Sequence, residues 1–153
     1  MGRYDANKFS AGDTGTTPRT KQNADVDALD VIAQGLLPEF TCTATEAVGD
    51  AVYVSAANTV TQAVCDSATT MPAIGIIQAK PSSTTCYVCF SGIVDGFTGL
   101  TPGAIYYVDE TAGGITATKP TDTDPAYLNQ VVGVAISTTE LLVMNTIGYA
   151  TEA

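Results

Sequence analysis

From Glu39 onward the chain is written in short apolar runs, each about a strand long and each closed by a turn signal. This punctuation limits the fold more than any other feature. The runs cover residues 40–45, 51–55, 60–65, 73–79, 84–90, 93–97, 104–109, 114–118, 131–137 and 141–146. Between them stand Val48-Gly49-Asp50, Lys80-Pro81-Ser82, Thr101-Pro102-Gly103 and Ala112-Gly113-Gly114. Gly and Pro supply backbone angles that ordinary strands do not use, so these are turns. Many short strands at this spacing predict an all-β domain, a sandwich or a barrel, over residues 39–153. Composition agrees: apolar residues are 45% of the chain and charged residues only 14%, so a core can form while Thr, Ser, Ala and Gly fill the surface. At 153 residues the chain is long enough for one domain with a real core.

The runs also repeat. "VGDAVYVS" at 48–55 matches "PGAIYYVD" at 102–109, and "AIGIIQA" at 73–79 matches "VVGVAIS" at 131–137. Each of the latter leads through a turn into a further apolar run, "TCYVCFSG" at 85–92 and "LLVMNTIG" at 141–148. Three glycine pairs, Gly49 and Gly103, Gly75 and Gly133, Gly92 and Gly148, keep offsets of 54, 58 and 56 residues. An internal repeat at about 48–92 and 102–148 is expected, two β-units burying together what neither could bury alone.

Residues 1–38 differ in kind. The first 22 are rich in Gly, Thr and Asn without periodicity and read as an extended arm. Residues 24–34, "ADVDALDVIAQ", read either as a short helix or as more of the arm. Val26, Leu29, Ile32 and Ala33 share one helical face, Asn23 suits an N-cap and Gly35 a stop. Charge divides at the same place. Residues 1–21 carry Arg3, Lys8, Arg19 and Lys21 against Asp5 and Asp13, a net of +2. The other residues carry two lysines against 14 acids, a net of -12. An acidic body repels nucleic acid, and no apolar run approaches the length of a membrane span. Neither nucleic acid nor membrane is therefore an expected partner. Met1–Asp5 leads into polar sequence without a signal-peptide pattern, and Gly2 lacks the Ser or Thr at position 6 of a myristoylation motif.

Chemistry finds few footholds. The chain has no histidine, which removes the commonest general base, a common zinc ligand, and every Ser-His or Cys-His pair. Cys86 and Cys89 stand three apart in "TCYVCF", a strand-forming run without Gly or Pro between the thiols. Side chains alternate along a strand, so these two point to opposite faces and cannot share a metal. Cys42 and Cys65 are isolated; a single bridge between them stays open, but without a signal peptide reduced thiols are expected. Asp13-Thr14-Gly15 is an aspartic-protease tripeptide without the second copy that such a carboxylate pair needs. Asp122 and Asp124 lack the further oxygen ligands of a calcium loop and read as a turn before Pro125. Asp95, flanked by glycines in "GIVDGF", reads as a bend. No catalytic residue, metal or cofactor is expected.

Taken in order, "AVGDAVYVS", "PAIGIIQA", "GLTPGAIYYVDETAGGIT" and "VVGVAISTTELLV" resemble the β-domains of tailed-bacteriophage structural proteins, with the capsid decoration (cement) proteins the nearest match. The resemblance spans about residues 46–147. It implies a non-enzymatic virion protein, made in the host cytoplasm, that sits on the outer capsid surface and staples neighbouring major capsid protein subunits. It also implies homotrimers at local three-fold positions and an N-terminal arm that carries part of the grip. Here that arm offers Arg3, Tyr4, Lys8, Phe9, Arg19 and Lys21. The alternative expectation is a tail, baseplate or head-fibre module that recognises host surface glycans. Tyr106 and Tyr107, on opposite faces of one strand, would put one ring in solvent for that purpose. A small hydrolase built on Asp13 or a carboxylate pair comes last.

Overall fold

The computed structural model describes residues 37–120 and 127–144, together with the backbone of 150–151. The arm, the 24–34 segment, Asp13, Asp122, Asp124 and Gly148 lie outside the described residues. What is described is all-β, apart from a single 3₁₀ turn at Ala68–Thr70.

The first half holds β1 (Glu39–Thr41), β2 (Ala51–Ala56), β3 (Thr59–Gln62), β4 (Gly75–Ala79) and β5 (Thr85–Cys89). They close into a small barrel in the order β1-β3-β2-β4-β5. The second half holds β6 (Ser91–Val94), β7 (Ile105–Val108), β8 (Ile115–Thr116), β10 (Val131–Ala135) and β11 (Leu141–Met144), which form a sheet ordered β6-β11-β10-β7-β8. A two-residue pair, β9 (Leu128–Asn129) with β12 (Ala150–Thr151), completes the set. That pair was not expected from the sequence. Most observed strands are a residue or two shorter than the apolar runs that predict them. The run at 60–65 shows why: its strand ends at Gln62, and buried Ala63 and Cys65 then exchange backbone hydrogen bonds with Gly113, Asp109 and Leu128 of the other half.

Matched within each half, the strands follow one order, β1-β5-β4-β2-β3 beside β6-β11-β10-β7-β8. The likeness reaches single hydrogen bonds. Gly49 N–H donates to the Ile77 carbonyl at 2.8 Å, and Gly103 N–H donates to the Ala135 carbonyl at 2.7 Å. Ile77 N–H donates to Asp50 at 2.9 Å, as Ala135 N–H does to Ala104 at 3.0 Å. Both turn glycines have positive φ, 93° and 82°, where a side chain would be strained. Gly75 and Gly133 each sit where a Cβ would overlap a carbonyl oxygen of the next strand, that of Cys89 and of Leu142. Only glycine lets the strands approach so closely.

The halves differ at the closing seam. β2 and β3 are joined by a tight turn at Ala57-Asn58, with Asn58 at φ 53°. This leaves β3 four residues long, and Thr41 pairs with Thr59 to close the ring. In the second half a longer turn, Asp109–Gly114, leaves β8 only two residues, and β6 does not pair with it.

Two cores follow. Cys42, Val52, Val60, Ile77, Cys86 and Val88 fill the barrel. A larger cluster, including Ala51, Ile76, Cys89, Val94, Tyr106, Val132, Leu141 and Val143, joins the barrel's outer wall to one face of the open sheet. Strand β4 serves both, with Ile76 facing the sheet and Ile77 facing the lumen. At about 25 cal/mol per Å² of apolar area buried, these clusters are the main favourable term in folding. Buried Gln130 ties the halves by a ladder-like pair: its Oε1 accepts from Ala73 N–H at 2.8 Å and its Nε2 donates to the Ala73 carbonyl at 2.7 Å.

Candidate functional site

The arm residues Arg3, Tyr4, Lys8, Phe9, Arg19 and Lys21 all lie outside the described residues. Within the described body, several places bear on what the chain could do.

The thiols come first. Cys86 lies in the barrel lumen and Cys89 in the cluster between barrel and sheet, on opposite faces of β5, as strand alternation requires. Cys42 and Cys65 also fall in different clusters, so the bridge left open between them has no geometry behind it. Cys42 instead meets Cys86, which is hydrogen-bonded to it. All four thiols are free and buried. Burial pushes the Cys86 thiol up to about 12, helped by the hydrogen bond to Cys42. Burial likewise pushes Cys65 up to about 11, with Glu110, Asp109 and Asp66 adding to the effect. Burial raises Cys89 as well. Such thiols are poor nucleophiles and poor metal ligands at neutral pH. Among the described residues, no three acidic or cysteine side chains converge as a metal site would need.

The second place is the loop before β2. The Glu46 side chain, only 3% exposed, accepts from Thr43 N–H at 2.6 Å and from the Thr43 hydroxyl at 2.7 Å. Burial alone would raise this carboxyl. The bonds from Thr43 and the nearby Lys80 ammonium outweigh it and hold the group below its ordinary value. Lys80 Nζ donates to the Thr43 carbonyl at 2.7 Å and to the Glu46 carbonyl. Lysine and glutamate thus pin a loop; neither is left free to act on a substrate.

The third is a shallow cleft of about 470 Å³ where Val48–Asp50, the 96–100 loop and Gly113–Ile115 meet. Its carboxylate, Asp50, accepts from Ala47 N–H and from Gln62 Nε2, both at 2.8 Å. Tyr106, at its edge, is 6% exposed and accepts from Thr101 N–H at 3.0 Å. The glycine-rich wall leaves room for a small polar group, and the half-buried Phe97 ring lines it beside Gly49. Tyr106 points into the core and Tyr107 to the other face, where it is half-buried. Asp95 sits just past β6 and is exposed.

The fourth place was not anticipated. On the face of the open sheet turned away from the barrel, Ile93 pairs with Leu142, Leu142 with Val134, and Val134 with Ile105. The two end residues are 51% and 46% exposed. Met144 and Ile136, one pleat along, are also exposed. Its only signal in the sequence was that "IYYV" and "LLVM" are apolar on both faces, which reads equally well as a strand buried on both sides.

No family model matches the chain, and no curated protein or solved structure proves similar to it.

Proposed function

We propose that this chain is a capsid decoration protein: it binds the outer surface of a phage head and stabilises contacts between major capsid protein subunits. The observation that carries the proposal is the division of charge. Residues 1–21 are basic, with Tyr4 and Phe9 among the cations, while the rest of the chain is strongly acidic. A basic, aromatic-bearing segment suits an acidic partner surface, and the acidic body keeps decorated particles apart. Segment and body binding the same lattice reinforce each other through effective concentration, so each contact can be weak. The β-body suits a passive clamp: Glu46, Lys80 and Asp50 are spent on holding loops, and the four thiols are buried.

The test is co-sedimentation of the full chain with expanded, undecorated capsids, beside a variant with Arg3, Lys8, Arg19 and Lys21 all changed to Glu. Saturable binding at a fixed ratio per capsid protein, lost or greatly weakened in the variant, is the expected result. No sedimentation of the full chain with capsids overturns the proposal. Binding that is indifferent to the four substitutions removes the segment from it.

A further inference from the structure

We infer that the outer face of the open sheet is a self-association surface, on which a second copy of this chain packs face to face about a two-fold axis. The inference is independent of the capsid proposal.

The internal likeness of the two halves shows what this face is for. In the barrel, Ala51 pairs with Ile76 and Ile76 with Cys89, next to the glycine Gly75. In the sheet, Ile105 pairs with Val134 and Val134 with Leu142, next to the glycine Gly133. These are the same positions of the same ladder. In the barrel the row is 0%, 0% and 2% exposed, because the open sheet lies over it. Leu37 packs against the same cluster. In the sheet the equivalent row is apolar throughout, yet Val134 and Leu142 are only half-buried and Ile105 is exposed. Six large apolar side chains on one exposed face of an acidic protein are unusual without an occupant.

Two observations choose a second copy as that occupant. The first is charge. Among the described residues the centre of the face shows Ile93, Ile105, Tyr107, Val134, Leu142 and Met144, with Asp95 and Glu140 at one end of the strands. The centre of the contact carries no charge, as interface centres tend not to, while a two-fold axis along the strands gathers the Asp95 and Glu140 carboxylates of both copies at one end, which keeps the pairing weak. The second is symmetry. Read across the strands, the row is Ile93, Leu142, Val134, Ile105. A two-fold axis between Leu142 and Val134 sets Ile93 of one copy on Ile105 of the other, and Leu142 on Val134. A row with isoleucine at both ends is its own complement, which is what an isologous contact requires. Four strands ~4.8 Å apart with ~3.3 Å per residue give a footprint of about 19 by 13 Å. That is well below the roughly 800 Å² per partner of a standard interface, so the pairing is weak and concentration-dependent.

The test is sedimentation velocity on the full chain over a dilution series, with Ile93→Glu and Ile105→Lys. The wild type is expected to pass from monomer to dimer as concentration rises. Each single variant is expected to weaken the dimer at least about tenfold. An equimolar mixture of the two variants is expected to recover dimers, since the axis sets the introduced carboxylate of one copy against the introduced ammonium of the other. Unfolding midpoints near the wild type certify that the variants fold; if either does not, Ile93→Ser and Ile105→Ser take its place. A monomer at every concentration, a trimer as the phage resemblance implies, or a dimer indifferent to both substitutions would overturn the inference.

Discussion

The barrel and the open sheet are built on one strand order, yet one is sealed and the other is not. A difference of a few residues in one turn separates them. The Ala57-Asn58 turn leaves β3 long enough to meet β1, whereas the longer 109–114 turn leaves β8 too short to meet β6. Closure abolishes the free edge and gives the barrel a lumen of its own. The open sheet has no lumen. It buries one face on the barrel and leaves the other apolar and exposed. Sealing a sheet confers rigidity; leaving it open confers a surface. The largest effects should therefore come from the sealed half and the interaction effects from the open one.

The sharpest comparison is Gly75→Ala against Gly133→Ala. Both would force a Cβ onto a neighbouring carbonyl oxygen. At Gly75 the Cβ also meets Val88 Cγ1 at 2.9 Å, inside a ring whose strands cannot slide. At Gly133 the strand already shifts register between Val131 and Gly133, and the sheet is open. Gly75→Ala is expected to cost more than about 3 kcal/mol and Gly133→Ala clearly less. Urea unfolding midpoints measure both. Equal costs would mean that closure adds no stiffness.

Next come truncations in the two cores. Val88→Ala removes two methyl groups from the lumen, and Val143→Ala removes two from the layer between barrel and sheet. Each is expected to cost about 2–3 kcal/mol, at the lower end where the surroundings can collapse. The sheet can settle onto the barrel, but a closed ring cannot shrink, so Val88→Ala should be the worse. The reverse order would show that the sheet, not the barrel, is the rigid partner.

These elements also mark what the sequence made legible. Strand runs and turns were readable because Gly, Pro and period-two alternation are local signals. The placement of Cys86 and Cys89 on opposite faces followed from geometry alone. The β9–β12 pair was not readable, since two residues carry no period. Neither was the meeting of Cys42 with Cys86, which depends on β1 pairing with β5 across the barrel. The apolar outer face escaped for a different reason. An apolar run on both sides of a strand does not say whether its second face is covered within the chain. The arm, on which the functional expectation leaned, lies outside the described residues.

The smallest effect tests how each half holds its loop onto the hairpin turn. In the open half the backbone does it: Leu100 N–H donates to Thr138 and Phe97 N–H to Thr139. In the barrel, beside one backbone bond from Cys42 N–H to Thr84, side chains do it, Lys80 reaching the Thr43 and Glu46 carbonyls while Glu46 accepts twice from Thr43. Only the barrel's tether contains an acid, so only it should weaken in acid. The folded Glu46 carboxyl is held below its ordinary value of about 4.5. Its contribution is therefore complete above that value and is lost as pH falls through the folded pKa. Glu46→Gln is expected to cost about 1 kcal/mol at pH 7, the scale of one hydrogen bond to a charged group partly replaced by a neutral one. The gap between wild type and variant should close below pH about 4.5 as the wild-type carboxyl protonates. In hydrogen exchange over the same pH range, residues 43–47 should lose protection before residues 97–101 do. A gap that persists unchanged in strong acid would mean that Glu46 acts through its shape rather than its charge, and the two tethers would then differ in geometry alone.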